Sequence, residues 1–200
     1  MTAPAAKWPS SMPLMTADEF LAWPGDGTGT RYELVNGVLR AQDSASDAHG
    51  TIQSNLNRLI GNHLVAHRPN CRIVSNPGIK PLLRAHWNHR VPELGVTCTP
   101  NRADVHNTPD PVLLIEVLSP SNAADTWSNI PLYATLPSVT EILIVDSTKV
   151  AAELLRRGRD GNWPQDPEPI AIGGVITLAS IGLELPLAEV YRGTHLGVTV

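Results

Sequence analysis

Apolar residues with helical spacing mark one long segment in the first third of the chain. Ser46 and Asp47 are residue types that cap helix N-termini, and Pro69 is a helix-breaking residue. Between them, apolar residues recur every three or four positions, as on the buried face of an amphipathic helix: Ala48, Ile52, Leu56, Leu59, Ile60 and Leu64. The pattern predicts a long helix that starts near Asp47 and stops before Pro69.

Three shorter segments also have helical features. Thr16 and Glu19 have the spacing of a capping box and predict a short helix at the N-terminal end. A second segment begins near Ala123, but it contains Pro131, which predicts either a kink or a late start for this helix. A last helical turn is expected within residues 186–193.

The remaining apolar positions follow strand-like patterns. Residues on either side of Asn36-Gly37 alternate in polarity, which predicts a β-hairpin with a two-residue turn. Two almost wholly apolar segments have the pattern of buried central strands: 112–118 and 141–146. Four further strands are predicted around them: 71–75, 78–84, 90–98 and 150–157. Helices interspersed with such strands predict one α/β domain around a mixed β-sheet.

Composition limits the possible classes of protein. The 200 residues, 42% of them hydrophobic, suit one domain, predicted over 16–195 between a flexible arm, 1–15, and a tail, 196–200. No apolar run is long enough for a membrane-spanning helix, so we expect no membrane partner. A net charge of −4 argues against a basic protein that coats nucleic acid. It does not exclude an enzyme that acts on DNA, since a metal-dependent nuclease needs carboxylates.

The two cysteines, Cys71 and Cys98, do not have the spacing of a zinc site. They are expected to be buried free thiols of a reduced, cytoplasmic protein, although one internal disulfide is the alternative. The N-terminal residues contain neither a signal peptide nor a lipidation motif, which also favours the cytoplasm.

Two acidic residues fall where the sheet is expected to be buried. Glu116 is the only charge in the strand VLLIEVL, and an ionised carboxylate there needs a partner. The partner is either a metal ion in a functional site or an arginine, for which the candidates are Arg84, Arg90 and Arg102. Glu93 is expected on the neighbouring strand, on the same face as Gly95, which would leave room for a ligand. Two carboxylates, water and a substrate phosphate would complete the octahedron of Mg²⁺ or Mn²⁺.

Two more residues are candidates with ordinary alternatives. Glu33 in the hairpin is either a third acidic group of the site or an exposed carboxylate. His49 at the start of the long helix either orients a phosphate or carboxylate, or is a local capping partner.

The motifs YELVNG, DAHG, VPELGV, PVLLIEVLSPSN and EILIVD resemble those of the Uma-two family of bacterial restriction endonuclease-like proteins, in the PD-(D/E)xK nuclease superfamily. The resemblance extends over 16–195. It implies a restriction-endonuclease-like fold, a mixed sheet flanked by helices, and Mg²⁺- or Mn²⁺-dependent hydrolysis of DNA. It places the family's site residues on Glu33, His49, Glu93, Glu116, Asp125, Tyr133 and Asp146.

Two positions depart from the family pattern. Glu93 replaces the aspartate of the PD pair, and Asn129 stands where the family has a lysine. The chain has only three lysines, of which Lys7 lies in the arm and Lys149 beyond the second buried strand. Lys80 is therefore the only candidate for a replacement catalytic lysine, and the alternative is that it lies on the surface.

The sequence leaves two functions open, besides a structural α/β domain unrelated to nucleases, in which an arginine would pair with Glu116. One is a metal-dependent endonuclease in which Glu93 and Glu116 bind the metal, Glu33 and Lys80 assist catalysis, and His49 and Asn129 contact the substrate. The other is an inactive nuclease fold that binds DNA or a protein, because Asn129 cannot supply positive charge. A homodimer would suit cleavage of both strands of a duplex.

Overall fold

The computed structural model describes residues 14–42, 45–103 and 106–197. Residues 1–13 of the predicted arm and 198–200 of the predicted tail lie outside these ranges, and the domain limits stay a prediction. The helices are α1 (Ala17–Ala22), α2 (Asp47–His67), α3 (Ala123–Tyr133) and α4 (Leu187–Val190). The strands are β1 (Tyr32–Val35), β2 (Val38–Ala41), β3 (Arg72–Ser75), β4 (Leu94–Thr97), β5 (Pro111–Leu118), β6 (Glu141–Asp146), β7 (Ala151–Arg156), β8 (Glu168–Ala171), β9 (Val175–Leu178) and β10 (Leu183–Pro186). No helix in the described ranges is long and apolar enough to cross a membrane.

Six strands form one mixed sheet in the order β3-β4-β5-β6-β7-β8. Its central pair, β5 and β6, is parallel, while the other neighbouring strands are antiparallel. Helix α3 connects the two parallel strands, as such a pair requires a crossover. The predicted α/β class with a mixed sheet and flanking helices is confirmed, as is the separate hairpin of β1 and β2.

The two faces of the sheet bury different helices. Leu113, Ile115 and Val117 of β5 pack in the cluster that contains the apolar face of α2. Leu114 packs in the second cluster, which contains residues of α3. Because side chains alternate along a strand, Glu116 lies on the same face as Leu114, under α3. The alternation of side chains along β5 therefore places the Glu116 carboxylate between the sheet and α3.

The hairpin turn has the geometry that Asn-Gly predicts. Asn36 and Gly37 both have positive φ, 50° and 83°, as a type I′ turn requires. The backbone of Leu34 in β1 exchanges hydrogen bonds with that of His89. The hairpin is therefore held against the segment that leads to Glu93.

Two local predictions were wrong, and one of the two alternatives for α3 is excluded. Residues 78–84, and with them Lys80, do not form a strand: Ile79 makes an isolated bridge to Arg90, and Pro81 follows without an N–H for a ladder. Glu93 precedes β4 instead of lying within it. Helix α3 does not start late, since it begins at Ala123 and includes Pro131 in its last turn.

The expectation of free thiols is also wrong, because Cys71 and Cys98 form a disulfide. Arg72 of β3 lies opposite Thr97 of β4, so the next pair outward along the ladder is that of the cysteines. Their Cα atoms are 3.9 Å apart. Spacing along the chain could not show this contact, which depends on the register of two antiparallel strands.

Loss of this disulfide is expected to lower the free energy of unfolding by about 3 kcal/mol, because the bond restricts the unfolded chain across a separation of 27 residues. Urea unfolding of the oxidised protein and of a Cys71→Ala/Cys98→Ala variant would measure the difference. Reductant should destabilise the wild type and leave the double variant unchanged. Equal midpoints for oxidised and reduced wild type would contradict the prediction.

Candidate active site

One cavity of about 690 Å³ lies where the hairpin, the N-terminal end of α2, the C-terminal end of β5 and α3 meet. Six residues that the sequence singled out line it together: Glu33, His49, Glu93, Glu116, Asp125 and Asn129. They come from five separate segments of the chain. Of the other predicted site residues, Lys80, Tyr133 and Asp146 do not line the cavity, although the Tyr133 hydroxyl contacts Glu116.

Glu116 is the most deeply buried carboxylate of the cavity, with 5% of its surface exposed. The Tyr133 hydroxyl donates a hydrogen bond of 2.7 Å to its Oε1. Burial raises the pKa of Glu116 to about 8, the Tyr133 bond opposes this rise, and the charges of Glu93 and Glu33 add to it. No ion pair of Glu116 occurs within the described ranges, so the alternative of an arginine partner is not supported there.

Glu141 is another carboxylate buried in the sheet, and it is neutralised by direct partners. Its Oε1 accepts a charged hydrogen bond of 2.8 Å from Arg156 Nε. The backbone N–H groups of Ala179 and Ser180 donate to the same carboxylate. Within the described part of the chain, Glu116 has neither a cation nor backbone donors of this kind, which distinguishes it from Glu141.

Two residues of α2 hold Glu93. His49 Nε2 lies 2.9 Å from Glu93 Oε1, and Gln53 Nε2 donates to Oε2 at 2.9 Å. His49 and Gln53 are four residues apart and therefore share one helix face. Sequence reasoning missed Gln53, although its spacing from His49 could have indicated it. Gly95 does not leave room for a ligand, since a Cβ there would lie 3.0 Å from Pro77 Cγ.

Glu33 is buried, not an exposed hairpin residue. Its Oε1 lies 3.6 Å from Arg90 Nη1. Burial raises the pKa of Glu33, and the nearby charges of Arg90 and Arg40 oppose that rise. The cavity therefore contains a second carboxyl group that binds a proton more readily than an exposed glutamate does.

The lysine candidates lie elsewhere. Lys80 Nζ pairs with Asp18 at 3.0 Å and does not line the cavity. Lys149 is exposed and lies 3.8 Å from Asp146 at the end of β6, also outside the cavity. Among the described residues, the lysine or arginine side chains that line the cavity are those of Arg31 and Arg40. Sequence reasoning did not place either arginine there.

The donor set fits a hard divalent cation. The described residues hold no group of three or more histidine, cysteine or acidic side chains arranged to bind a metal ion. Mg²⁺, however, is commonly bound by one or two carboxylates together with water and substrate phosphates. Glu93 and Glu116 provide two carboxylates, and Asn129 Oδ1 is a buried oxygen that no described residue hydrogen-bonds. These oxygens suit Mg²⁺ or Mn²⁺.

Residues 17–187 match the protein family Uma2, which is described as "Putative restriction endonuclease". The chain belongs to the Uma2 family. An uncharacterized protein of Synechocystis sp. (strain ATCC 27184 / PCC 6803 / Kazusa) is 31% identical over 193 residues, which are 96% of each chain. The match confirms the family that the sequence motifs resemble.

A solved structure shows that the Uma2 chain has a nuclease-like fold. It is that of a "putative nuclease belonging to DUF820" from Anabaena variabilis ATCC 29413, with a TM-score of 0.70 and 18% identity. The alignment covers 88% of this Uma2 chain and 97% of the other. The restriction-endonuclease-like architecture expected from the sequence is confirmed at the level of the fold.

The raised pKa of Glu116 predicts how the stability of this Uma2 protein depends on pH when metal is absent. Between pH about 4.5 and about 8 the folded protein keeps a proton on Glu116 that the unfolded chain releases. The folded state then binds more protons, so the free energy of unfolding falls as pH rises, by at most about 1.4 kcal/mol per pH unit.

Urea unfolding in EDTA at several pH values would measure this slope. Glu116→Gln should have a shallower slope than the wild type, because glutamine does not titrate and all other titratable residues are retained. Equal slopes for the two proteins would show that Glu116 ionises normally in the folded state.

Proposed function

We propose that this Uma2 protein is a Mg²⁺- or Mn²⁺-dependent DNA endonuclease that hydrolyses phosphodiester bonds. The observation that carries the proposal is the convergence of Glu33, Glu93 and Glu116 on one cavity, in which Glu116 is buried and forms no ion pair with any described residue. A bound divalent cation would remove the cost of ionising Glu116 beside two other carboxylates. Membership of a nuclease-like family supports the same chemistry.

Glu93 and Glu116 would hold the metal, and Asn129 Oδ1 is a further oxygen within the same cavity. When bound, the metal supplies Lewis acidity and neutralises negative charge on the phosphate. His49 and Gln53 keep the Glu93 carboxylate in place through both of its oxygens. The Tyr133 hydroxyl holds the Glu116 carboxylate in place through a hydrogen bond to Oε1.

Glu33 is suited to accept the proton of the attacking water at its carboxylate oxygen. Its raised pKa lies closer to neutral pH than that of an exposed glutamate, which improves a general base. Arg90, behind it, holds the carboxylate in position at 3.6 Å. The proposed reaction therefore has a proton acceptor that belongs to the hairpin and not to the metal site.

Asn129 favours a second candidate function, DNA binding without cleavage. It stands where the family pattern has a lysine, and its buried amide carries no charge. A protein that kept the metal-binding carboxylates but lacked sufficient positive charge would bind DNA with Mg²⁺ and leave the phosphodiester intact.

Nicking of supercoiled plasmid by the purified protein tests the two functions. We expect conversion to the open circle with Mg²⁺ or Mn²⁺, and none with EDTA. Gel-shift assays in Ca²⁺ would measure DNA binding separately. Binding without cleavage at high protein concentration would support the second function, and absence of both would contradict the assignment of DNA as the substrate.

We also propose that the protein acts in the cytoplasm and pairs as a homodimer to cut both strands. Thiol reductants in that compartment oppose the Cys71–Cys98 bond, so the stabilising effect of the disulfide is expected chiefly in the purified, oxidised protein. Light scattering in solution would show whether a dimer forms.

A further inference from the structure

The proposed hydrolysis needs positive charge, and no lysine in the described ranges lines the cavity. Attack of water on the phosphorus builds additional negative charge on the non-bridging oxygens. Among the described residues, Arg31 and Arg40 are the lysine or arginine side chains that line the cavity. We infer that Arg40 is a catalytic residue whose guanidinium stabilises this charge, an inference that rests on the proposed endonuclease function.

The hairpin places Arg40 among the acidic groups of the site. Arg40 in β2 lies directly opposite Glu33 in β1, so both side chains project from the same face of the ribbon. Its guanidinium forms an ion pair with Asp125. Asp125 is one helical turn before Asn129 on α3, so Arg40 reaches the part of the cavity where a lysine at position 129 would project.

Arg40 is better placed for this role than the other nearby arginines. Its side chain is 40% exposed, so a substrate phosphate can reach it from the cavity. Arg31 Nη1 donates instead to Asn76. Arg90 is almost fully buried beside Glu33 and does not line the cavity. A guanidinium has five N–H donors, and one carboxylate occupies at most two of them.

The chemical step then divides between two side chains. Water adds to the phosphorus, its proton passes to the Glu33 carboxylate, and the bond from phosphorus to the leaving oxygen breaks. The leaving oxygen takes a proton from solvent. Arg40 donates hydrogen bonds to a non-bridging oxygen throughout and exchanges no proton, because a guanidinium stays charged at every working pH.

Single-turnover cleavage by three arginine variants tests the inference. We expect Arg40→Gln to slow cleavage by about 10² to 10³, as does removal of a donor that stabilises transition-state charge. Arg40→Lys keeps a positive charge and should stay within about tenfold of wild type. Arg84→Gln is the matched control, since Arg84 contacts Asn36 of the same hairpin outside the cavity.

Two readouts separate catalysis from a structural role. The Kd for DNA in Ca²⁺ should change little in Arg40→Gln, since a transition-state donor affects turnover more than ground-state binding. Adding Asn129→Lys to Arg40→Gln should restore cleavage at least tenfold, because the new ammonium replaces the lost charge from α3. Thermal unfolding would verify that the variants are folded.

The outcomes distinguish this inference from the proposed function. Two results would overturn the role of Arg40 alone. One is an Arg40→Gln variant that cleaves within a few fold of wild type. The other is a loss of cleavage that neither Arg40→Lys nor the added Asn129→Lys repairs. Absence of cleavage by wild type would overturn the endonuclease function, and the role of Arg40 with it.

Discussion

Replacing Glu116 by glutamine is expected to reduce metal-dependent DNA cleavage by about 10³-fold or more. The substitution keeps the size of the side chain and an oxygen that can accept the 2.7 Å hydrogen bond from Tyr133. It removes the negative charge that the proposed Mg²⁺ site needs. The fold should therefore persist while the metal affinity and the reaction are lost.

Plasmid nicking and calorimetric titration with Mn²⁺ would measure the two losses in Glu116→Gln. Glu184→Gln is a suitable control, because Glu184 is an exposed carboxylate of β10 outside the cavity. Wild-type metal affinity in Glu116→Gln would exclude Glu116 as a ligand. Wild-type cleavage by the same variant would place the reaction in another part of the molecule.

The affinity for Mn²⁺ should also rise with pH in the wild type. A proton on Glu116 competes with the metal, and burial raises the pKa of this group to about 8. Below that pH, each unit of increase strengthens binding by up to about tenfold. Glu184→Gln, the control variant, should keep this dependence, since it retains Glu116.

A lysine at position 129 is expected to increase cleavage by between about tenfold and a hundredfold. A charged donor at such a site is worth about 10² to 10³ in rate. The gain in an otherwise wild-type protein is smaller, because Arg40 already places positive charge in the cavity. The ammonium would also lie near Glu116, whose ionised form it would stabilise.

Single-turnover rates of Asn129→Lys and wild type would measure this gain. Ser128→Lys is the matched control, because the neighbouring side chain is exposed on the outer face of α3. An increase in Asn129→Lys alone would show that charge within the cavity limits the reaction. Equal rates in the two variants would show that it does not.

The sequence was sufficient for features that depend on local periodicity or on a single unusual residue. The apolar spacing of α2, the Asn36-Gly37 turn and the two buried strands each follow from contacts within a few residues. Glu116 was recognised because a charge in an apolar strand is costly wherever the strand packs. The strand predicted over residues 78–84 is wrong, because the structure has only an isolated bridge at Ile79, and Pro81 has no N–H with which to continue a ladder.

The sequence by itself thus determined the α/β class, the family and most of the carboxylates of the site, since these follow from period, burial and motif. Only the tertiary structure decided which groups meet. Gln53 reaches Glu93 across 40 residues of sequence, and Cys71 reaches Cys98 through a strand register. Arg40 enters the cavity while Lys80 stays outside it with Asp18. Such contacts depend on how distant elements pack, and packing is a property of the whole chain that no local pattern contains.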